Sequence, residues 1–285
     1  MNTAPDRDAS FTSGARLVTI DPADFDAMVF DMDGVVTETA TVHAAAWKSL
    51  FDDFLAVWTE RHDTAFRPFD IDDDYLTFVD GKPRFDGVRD FLASRDITIP
   101  YGTPSDPPDR ATVCGLGNRK NERFLETVRH DGVRAFPGTV RLIGELHAAG
   151  VRTAIISASE NVAEILAAAG VERLFAAAVD GSVAQRLGLP GKPHPAVFLE
   201  AARQVDAAPP RTAVAEDALA GVAAGRSGGF GLVIGVDRTA GIDPMIGVDR
   251  TTEHAVELRR HGADVVVRDL ADVGVKQPVC RPDGS

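Results

Sequence analysis

Cysteine is nearly absent: Cys114 and Cys280 stand far apart and in no C-x-x-C arrangement. A disulfide framework or a thiolate zinc site is thereby disfavoured, and a reducing compartment is expected. Positive charge is also short. Thirty Lys and Arg face 43 Asp and Glu, a formal charge of −13 over 285 residues. A field of that sign repels a nucleic-acid backbone or an anionic membrane surface, so neither is an expected partner. It would equally repel a phosphorylated metabolite, unless a site carries its own local positive charge. No stretch has the length and apolarity of a transmembrane helix. Residues 1–16 are polar and lack the apolar segment of a signal peptide. The expectation is therefore a cytoplasmic protein. No Gly-x-x-x-x-Gly-Lys-Ser/Thr loop occurs, which argues against a nucleotide kinase of that type. Gly228-Gly229-Phe230-Gly231 precedes a strand candidate instead of following one, so it is no dinucleotide fingerprint.

What is present is an alternation of short apolar runs and amphipathic stretches. Hydrophobic residues make up 44% of the chain, enough to build a core. Ala27, Met28, Val29 and Phe30 form an apolar run that stops at Asp31-Met32-Asp33-Gly34, the pattern of a strand entering a polar loop. Further strand candidates are Arg152–Ile156, residues 212–215, residues 232–234 and Val265–Val267. Between them Val140, Ile143 and Leu146, then Val162, Ile165, Leu166 and Ala169, recur at helical spacing, each series closed by a glycine. Pro195 suits a first helical position, with Phe198, Ala201, Ala202 and Val205 on one face. Apolar strands separated by helices imply a parallel sheet covered on both faces.

Residues 39–131 differ. They hold both tryptophans and both tyrosines and show helical patches without strand alternation. A helical insertion behind the first strand is expected, with the Pro-rich residues 99–109 as a surface loop. Residues 1–20 read as a disordered lead. The hexapeptide Ile-Gly-Val-Asp-Arg-Thr occurs at residues 234–239 and again at 246–251. One short duplication is no solenoid, and a lengthened loop is the simpler reading.

Ligands of open parallel sheets gather at the carboxyl ends of strands. Four polar signals fall at such ends or in turns: Asp31 with Asp33, Ser157, Lys192, and Glu216 with Asp217. Residues i and i+2 of an extended chain point to one side. Asp31 and Asp33 can therefore share a pocket, one as nucleophile and one as general acid/base. A plain turn or a calcium-loop fragment is the alternative, but no acidic residue occupies the final position of a calcium loop. Glu216 and Asp217 can hold Mg²⁺, or simply sit at an acidic helix start. Lys192, in Gly191-Lys192-Pro193-His194-Pro195, is either aimed by its prolines or a solvated loop lysine. Ser157 is a phosphate ligand or a helix cap. Trp47, four residues after His43, is expected to pack the insertion's core.

In this order the motifs resemble the haloacid dehalogenase superfamily of phosphotransferases, over nearly the whole chain. The resemblance sharpens toward its β-phosphoglucomutase-like family. It is carried by Asp31-Met-Asp-Gly-Val-Val-Thr-Glu-Thr-Ala with His43 and Trp47, Gly81-Lys-Pro-Arg84, Arg119-Lys120-Asn121, Ser157-Ala-Ser-Glu-Asn161 and Glu216-Asp-Ala-Leu-Ala-Gly221. It implies an α/β fold, a parallel Rossmann-like sheet core with an inserted helical cap. The core would be residues 21–40 and 132–275, the cap residues 41–131, and the C-terminal tail residues 276–285.

The resemblance further implies that Asp31 is phosphorylated and that Asp33 shuttles protons. Mg²⁺ would be held by Asp31, Glu216, Asp217 and the Asp33 carbonyl. Ser157 and Lys192 would bind the transferring phosphoryl group, and Thr39, His43 and Lys120 would couple cap closure to catalysis. Arg84, Ser159 and Asn161 would hold a second, distal phosphate. The implied activity interconverts β-D-glucose 1-phosphate and D-glucose 6-phosphate through a glucose 1,6-bisphosphate, in a monomer acting on a small sugar phosphate. Glu38, Glu160 and Ala196 depart from the family pattern, Glu160 by standing where the family has a lysine. A sugar-phosphate phosphatase using water as acceptor is the rival reading. A non-catalytic sugar-phosphate binder is the third, opposed by the intact set of Asp31, Asp33, Ser157, Lys192 and Asp217.

Overall fold

The computed structural model describes residues 18–238 and 253–277. Its strands are β1 (Val18–Ile20), β2 (Ala27–Asp31), β3 (Arg152–Ile156), β4 (Ala177–Val179), β5 (Thr212–Glu216), β6 (Leu232–Val236), β7 (Val265–Val267) and β8 (Val273–Val275). Six of them form one parallel sheet in the order β4-β3-β2-β5-β6-β7. From β2 the chain builds outward through β3 and β4, then returns to β2's other side with β5. The carboxyl end of β2 is therefore the switch point of the sheet.

Strand alternation explains the two core layers. Met28 and Phe30 enter one cluster with Ile155, Ala213, Ala215 and Ile234. Ala27 and Val29, one residue out of phase, enter the other with Ala154, Ile156, Val214 and Val233. Each face is covered by helices, so both phases of β2 are apolar and the strand reads as a continuous apolar run.

The helices are α1 (Ala40–His62), α2 (Arg84–Ser94), α3 (Val113–Asp131), α4 (Pro137–Ala148), α5 (Val162–Ala168), α6 (Gly181–Leu187), α7 (Ala196–Gln204), α8 (Leu219–Ser227) and α9 (Glu253–His261). Helices α1 to α3 form the insertion. Trp47, Leu50, Phe51 and Leu55 recur at helical spacing along α1 and pack on Phe69, Phe91, Leu92 and Leu116, a core separate from the two flanking the sheet. Phe51 sits in its middle, its ring 5.2 Å from Trp47, 5.1 Å from Phe69 and 4.1 Å from Phe91. Between α1 and α2 a π-helical turn, Tyr75–Val79, leads to Gly81.

The two passages between sheet and insertion are bound to each other. Glu38 donates its N–H to the Arg134 carbonyl, Phe136 donates to the Val36 carbonyl, and the Glu38 carboxylate pairs with Arg134 at 2.7 Å. The departure at Glu38 thus has a structural use across this hinge.

Two expectations are corrected, and two elements were not expected. Val18–Ile20, placed in a disordered lead, form β1 and pair in parallel with β8. The edge strand β4 and the helix α6 went unread. Pro195 is the residue before α7, not its first helical residue. Residues 99–109 do form an irregular loop, but one with a polar centre: Asp106 is buried and accepts from Thr103, Thr112 and Arg110. The lengthened loop expected from the repeated hexapeptide lies outside the described residues, as do residues 1–17 and 278–285.

Candidate active site

The register of the sheet assembles the first half of the site. Asp31 is level with Ile156, and Phe30 with Ala215. Ser157 and Glu216, next along their strands, therefore emerge beside Asp31. Lys192, from the loop before α7, reaches Asp31 Oδ1 at 2.5 Å and bonds Glu216 Oε1 as well. Burial alone would discharge that ammonium group. The two carboxylates outweigh it and hold the Lys192 pKa above its ordinary value.

The carboxylates carry the opposite strain. Burial pushes the Asp31 pKa well up; Lys192 pulls it back, and Glu216 repels it further. Burial, then Glu216 and Asp80, raise Asp217 well above the usual carboxylate range. Asp31, Glu216 and Asp217 each place an oxygen within 4.8 Å of the others. One ammonium cannot neutralise three crowded carboxylates, and an all-oxygen donor set suits a hard divalent cation such as Mg²⁺. Two glycines make the crowding possible. Gly34 has φ +77°, and a Cβ there would lie 1.8 Å from Asp217 Oδ2; one on Gly221 would lie 1.6 Å from Glu216 Oε1.

Asp33 faces the insertion. Thr39 donates to its Oδ1, His43 Nε2 lies 3.3 Å from the same oxygen without the alignment of a hydrogen bond, and Ser157 Oγ donates to Oδ2 at 3.3 Å. Burial opposes the Asp33 charge, but His43 and Thr39 prevail and hold the pKa at about 2. His43 stacks on Phe124 at 3.9 Å, and its Nδ1 meets Lys120 Nζ. Burial and the neighbouring Lys120 lower the His43 pKa; burial lowers Lys120 to about 7. A neutral imidazole with its proton on Nε2 fits both neighbours, accepting from Lys120 and turning N–H toward Asp33. Trp47 is core, as expected, and also walls the site: Lys120 Nζ sits 5.1 Å from its ring.

Arg84 opens α2 on the far wall. Its Nη1 pairs with Glu160 at 2.9 Å and its Nη2 bonds Asn118 Oδ1 at 3.3 Å. Asn118 donates both amide hydrogens to the Pro104 and Asp106 carbonyls, so the Pro-rich loop fixes which end of the amide Arg84 meets. Ser159 reaches the wall; its Oγ accepts the Asn161 N–H and its own N–H donates to Ser157 Oγ. Asn161 stands one step back, donating to Asn121 Oδ1 at 2.7 Å, and Asn121 forms the wall.

Asp31, Asp33, His43, Arg84, Lys120 and Lys192 line a cavity of about 70 Å³ between sheet and insertion. That is well under the ~300 Å³ at which small-molecule sites begin, so the two halves are close together. Sequence reasoning missed Tyr75 and Asp80 on its wall; Lys82, also there, lies within the Gly81-Lys-Pro-Arg84 motif. Burial, then repulsion from Glu216, raises the Asp80 pKa to about 7, and the Asp80 N–H donates to the Tyr75 carbonyl. Position just ahead of the Gly81-Lys-Pro-Arg84 motif was the one available signal. At the departure Ala196, the backbone N–H donates to His194 Nδ1 at 3.2 Å, while Lys192 takes its support from Asp31 and Glu216.

With Asp31, Asp33 and the carboxylate cluster gathered at the end of β2, residues 25–229 match the family model for haloacid dehalogenase-like hydrolase. The chain belongs to the haloacid dehalogenase-like family. A β-phosphoglucomutase of Mycobacterium bovis is 47% identical to it over 247 residues, spanning 87% of this chain and 90% of that one. The solved haloacid dehalogenase family hydrolase of Deinococcus radiodurans, with bound phosphate and sodium, is 30% identical at a TM-score of 0.56, covering 88% and 93% of the two chains. The Clostridium difficile β-phosphoglucomutase structure superposes at a TM-score of 0.63 with 21% identity, covering 87% and 92%, a likeness of fold. This haloacid dehalogenase-like chain is thus an enzyme of the phosphotransferase type.

Proposed function

We propose that the enzyme interconverts β-D-glucose 1-phosphate and D-glucose 6-phosphate through a phosphorylated Asp31 and a glucose 1,6-bisphosphate. The observation that carries this reading is the two-ended cavity. Asp31 and Lys192, beside Ser157, form one phosphate end and Arg84 with Ser159 the other, with Asp33 between them and the insertion closed over both. A phosphatase needs only the first end. The 47% identity to a β-phosphoglucomutase agrees.

Phosphoryl transfer spreads charge over three oxygens, so catalysis here is positioning and electrostatics. Lys192 and Ser157 supply donors for those oxygens. A Mg²⁺ held by Asp31, Glu216, Asp217 and the Asp33 carbonyl would add the positive charge that lets Asp31 meet an anionic phosphoryl group. Asp33, ionised in the free site, takes the proton of the sugar hydroxyl as the phosphoryl group leaves Asp31 for that oxygen. In the second half, Asp31 attacks the other phosphate of the bisphosphate, and Asp33 returns its proton to the departing sugar oxygen. The cycle thereby restores phosphorylated Asp31 and ionised Asp33. Thr39, His43 and Lys120 link Asp33 to the closed insertion, which keeps water from the acyl phosphate. Tyr75 and Asp80 face the sugar between its two phosphates.

One observation favours the rival phosphatase: Glu160 already occupies Arg84. Mixing the protein with glucose 1,6-bisphosphate and Mg²⁺, quenching in acid and mapping peptides tests the shared first step. A phosphoryl adduct on the peptide bearing Asp31 is expected; an adduct elsewhere, or none, contradicts it.

A further inference from the structure

Arg84 borders two cavities. One is the reaction cavity. The other, of about 270 Å³, lies beside it and is walled by Phe85, Leu189, Pro190 and Gln185 among others. Glu160 lines only the second. The Glu160 carboxylate therefore meets the guanidinium from the second cavity, while Asn118 holds its other nitrogen and Nε is buried without a partner. The remaining cations near the wall are engaged elsewhere: Lys82 with Asp90 and the Thr77 carbonyl, Lys120 with His43.

We propose that Glu160 is a positioning residue for substrate selection, an internal anion that occupies Arg84 and must be displaced by the second phosphate of the substrate. The inference rests on Arg84 being the distal-phosphate receptor, as proposed above. Three points carry it. The pair bridges two separately packed parts of the molecule, Arg84 at the start of α2 in the insertion and Glu160 in the loop after β3, so it forms where the two close together. It is half-open to water, with side-chain exposures of 19% and 37%, so exchange of one anion for another is accessible. A phosphate dianion offers three oxygens to a guanidinium fork, against the single Oε2 contact that Glu160 makes. Glu160 thus weakens capture of the distal phosphate without touching the reacting atoms. It lowers the site's preference for ligands with a second anion and releases them more readily.

Steady-state kinetics of wild type, E160Q, E160K and E160D with β-glucose 1-phosphate, Mg²⁺ and trace bisphosphate test this, alongside calorimetric titration with glucose 6-phosphate. Removing the competing charge should lower KM for β-glucose 1-phosphate and Kd for glucose 6-phosphate, by about three- to fivefold in E160Q and further in E160K. The change in kcat should be smaller than the change in KM, E160D should resemble wild type, and the gain should fade with added salt. If Glu160 merely braced Arg84 for binding, E160Q would raise both constants; that result, or no change, overturns the inference. Wild type forming glucose 6-phosphate in the same assay shows whether the underlying reading stands. Release of inorganic phosphate alone would remove that reading and this inference with it.

Discussion

The Nε2 of His43 faces Oδ1 of Asp33 across 3.3 Å, and Thr39, one helical turn earlier, donates to the same oxygen. The start of the insertion's longest helix therefore grips the carboxylate proposed to exchange a proton with the sugar.

Asp33→Asn keeps the shape of that carboxyl group and removes its basicity. Its kcat should fall by roughly 10²–10⁴, the usual worth of a positioned acid/base, with a much smaller change in KM. His43→Asn, which leaves Asp33 in place, should fall less. Turnover measured at saturating β-glucose 1-phosphate gives both values, and equal loss in the two would assign the proton transfer wrongly.

Lys120 supplies a pH signature. Burial sets its pKa at about 7, below the ordinary 10.5. Above pH 7 the ammonium that donates to His43 is lost, so kcat should decline on the alkaline side, and Lys120→Arg should carry that decline to higher pH. Stability moves the other way. Between the two pKa values the unfolded chain binds more protons than the folded one, so unfolding free energy should rise with pH, by roughly 2 kcal/mol from pH 7 to 9. Urea titrations of wild type and Lys120→Met at the two pH values isolate this contribution, which the variant should lack.

The crowded carboxylates predict an inverted metal response. Without divalent cation, Asp217→Asn relieves repulsion from Glu216 and Asp80 and should melt higher than wild type, by roughly 2–4 °C, the shift about 1 kcal/mol gives in a chain of this size. With Mg²⁺ the order should reverse, because wild type gains more from binding. Chelator should abolish turnover, and Mg²⁺ should restore it. Thermal melts with and without the ion check the crossing.

Gly34→Ala should be more damaging than an alanine at an open loop glycine. The added carbon meets Asp217 Oδ2 at 1.8 Å on a backbone with φ +77°. A cost of about 1–3 kcal/mol for the backbone alone is expected, with displacement of Asp217 and a higher Mg²⁺ requirement. Alanine at Gly150, where φ is +79° but nothing stands within 4 Å, separates the backbone cost from the collision. Equal Mg²⁺ dependence in the two variants would contradict the packing argument.

The parts of the fold that could be read in the sequence are those whose cause is local. Strands β2, β3, β5 and β6 are buried apolar runs, and each ends where polar residues begin. Strands β1 and β8 escaped because each has three residues and pairs only with the other, across most of the chain. Strand β4 is likewise three residues long, on the sheet's edge. The site divides in the same way. Asp31, Asp33, Ser157, Glu216 and Asp217 stand at or just past strand ends, where sheet register alone brings them together. Tyr75 opens a π-helical turn and Asp80 follows its end, within an acidic stretch and with no spacing to mark them. Glu160 was visible as a departure, but its partner Arg84 is 76 residues away and is brought to it only by the packing of the insertion on the sheet.

The most direct test of the account follows phosphorus itself. Pure protein, β-D-glucose 1-phosphate, Mg²⁺ and a trace of glucose 1,6-bisphosphate are watched by ³¹P NMR. The glucose 6-phosphate signal should grow as the substrate signal falls, with the bisphosphate level steady and Asp31→Asn inert. Inorganic phosphate as the sole product, or undiminished conversion by Asp31→Asn, would contradict it.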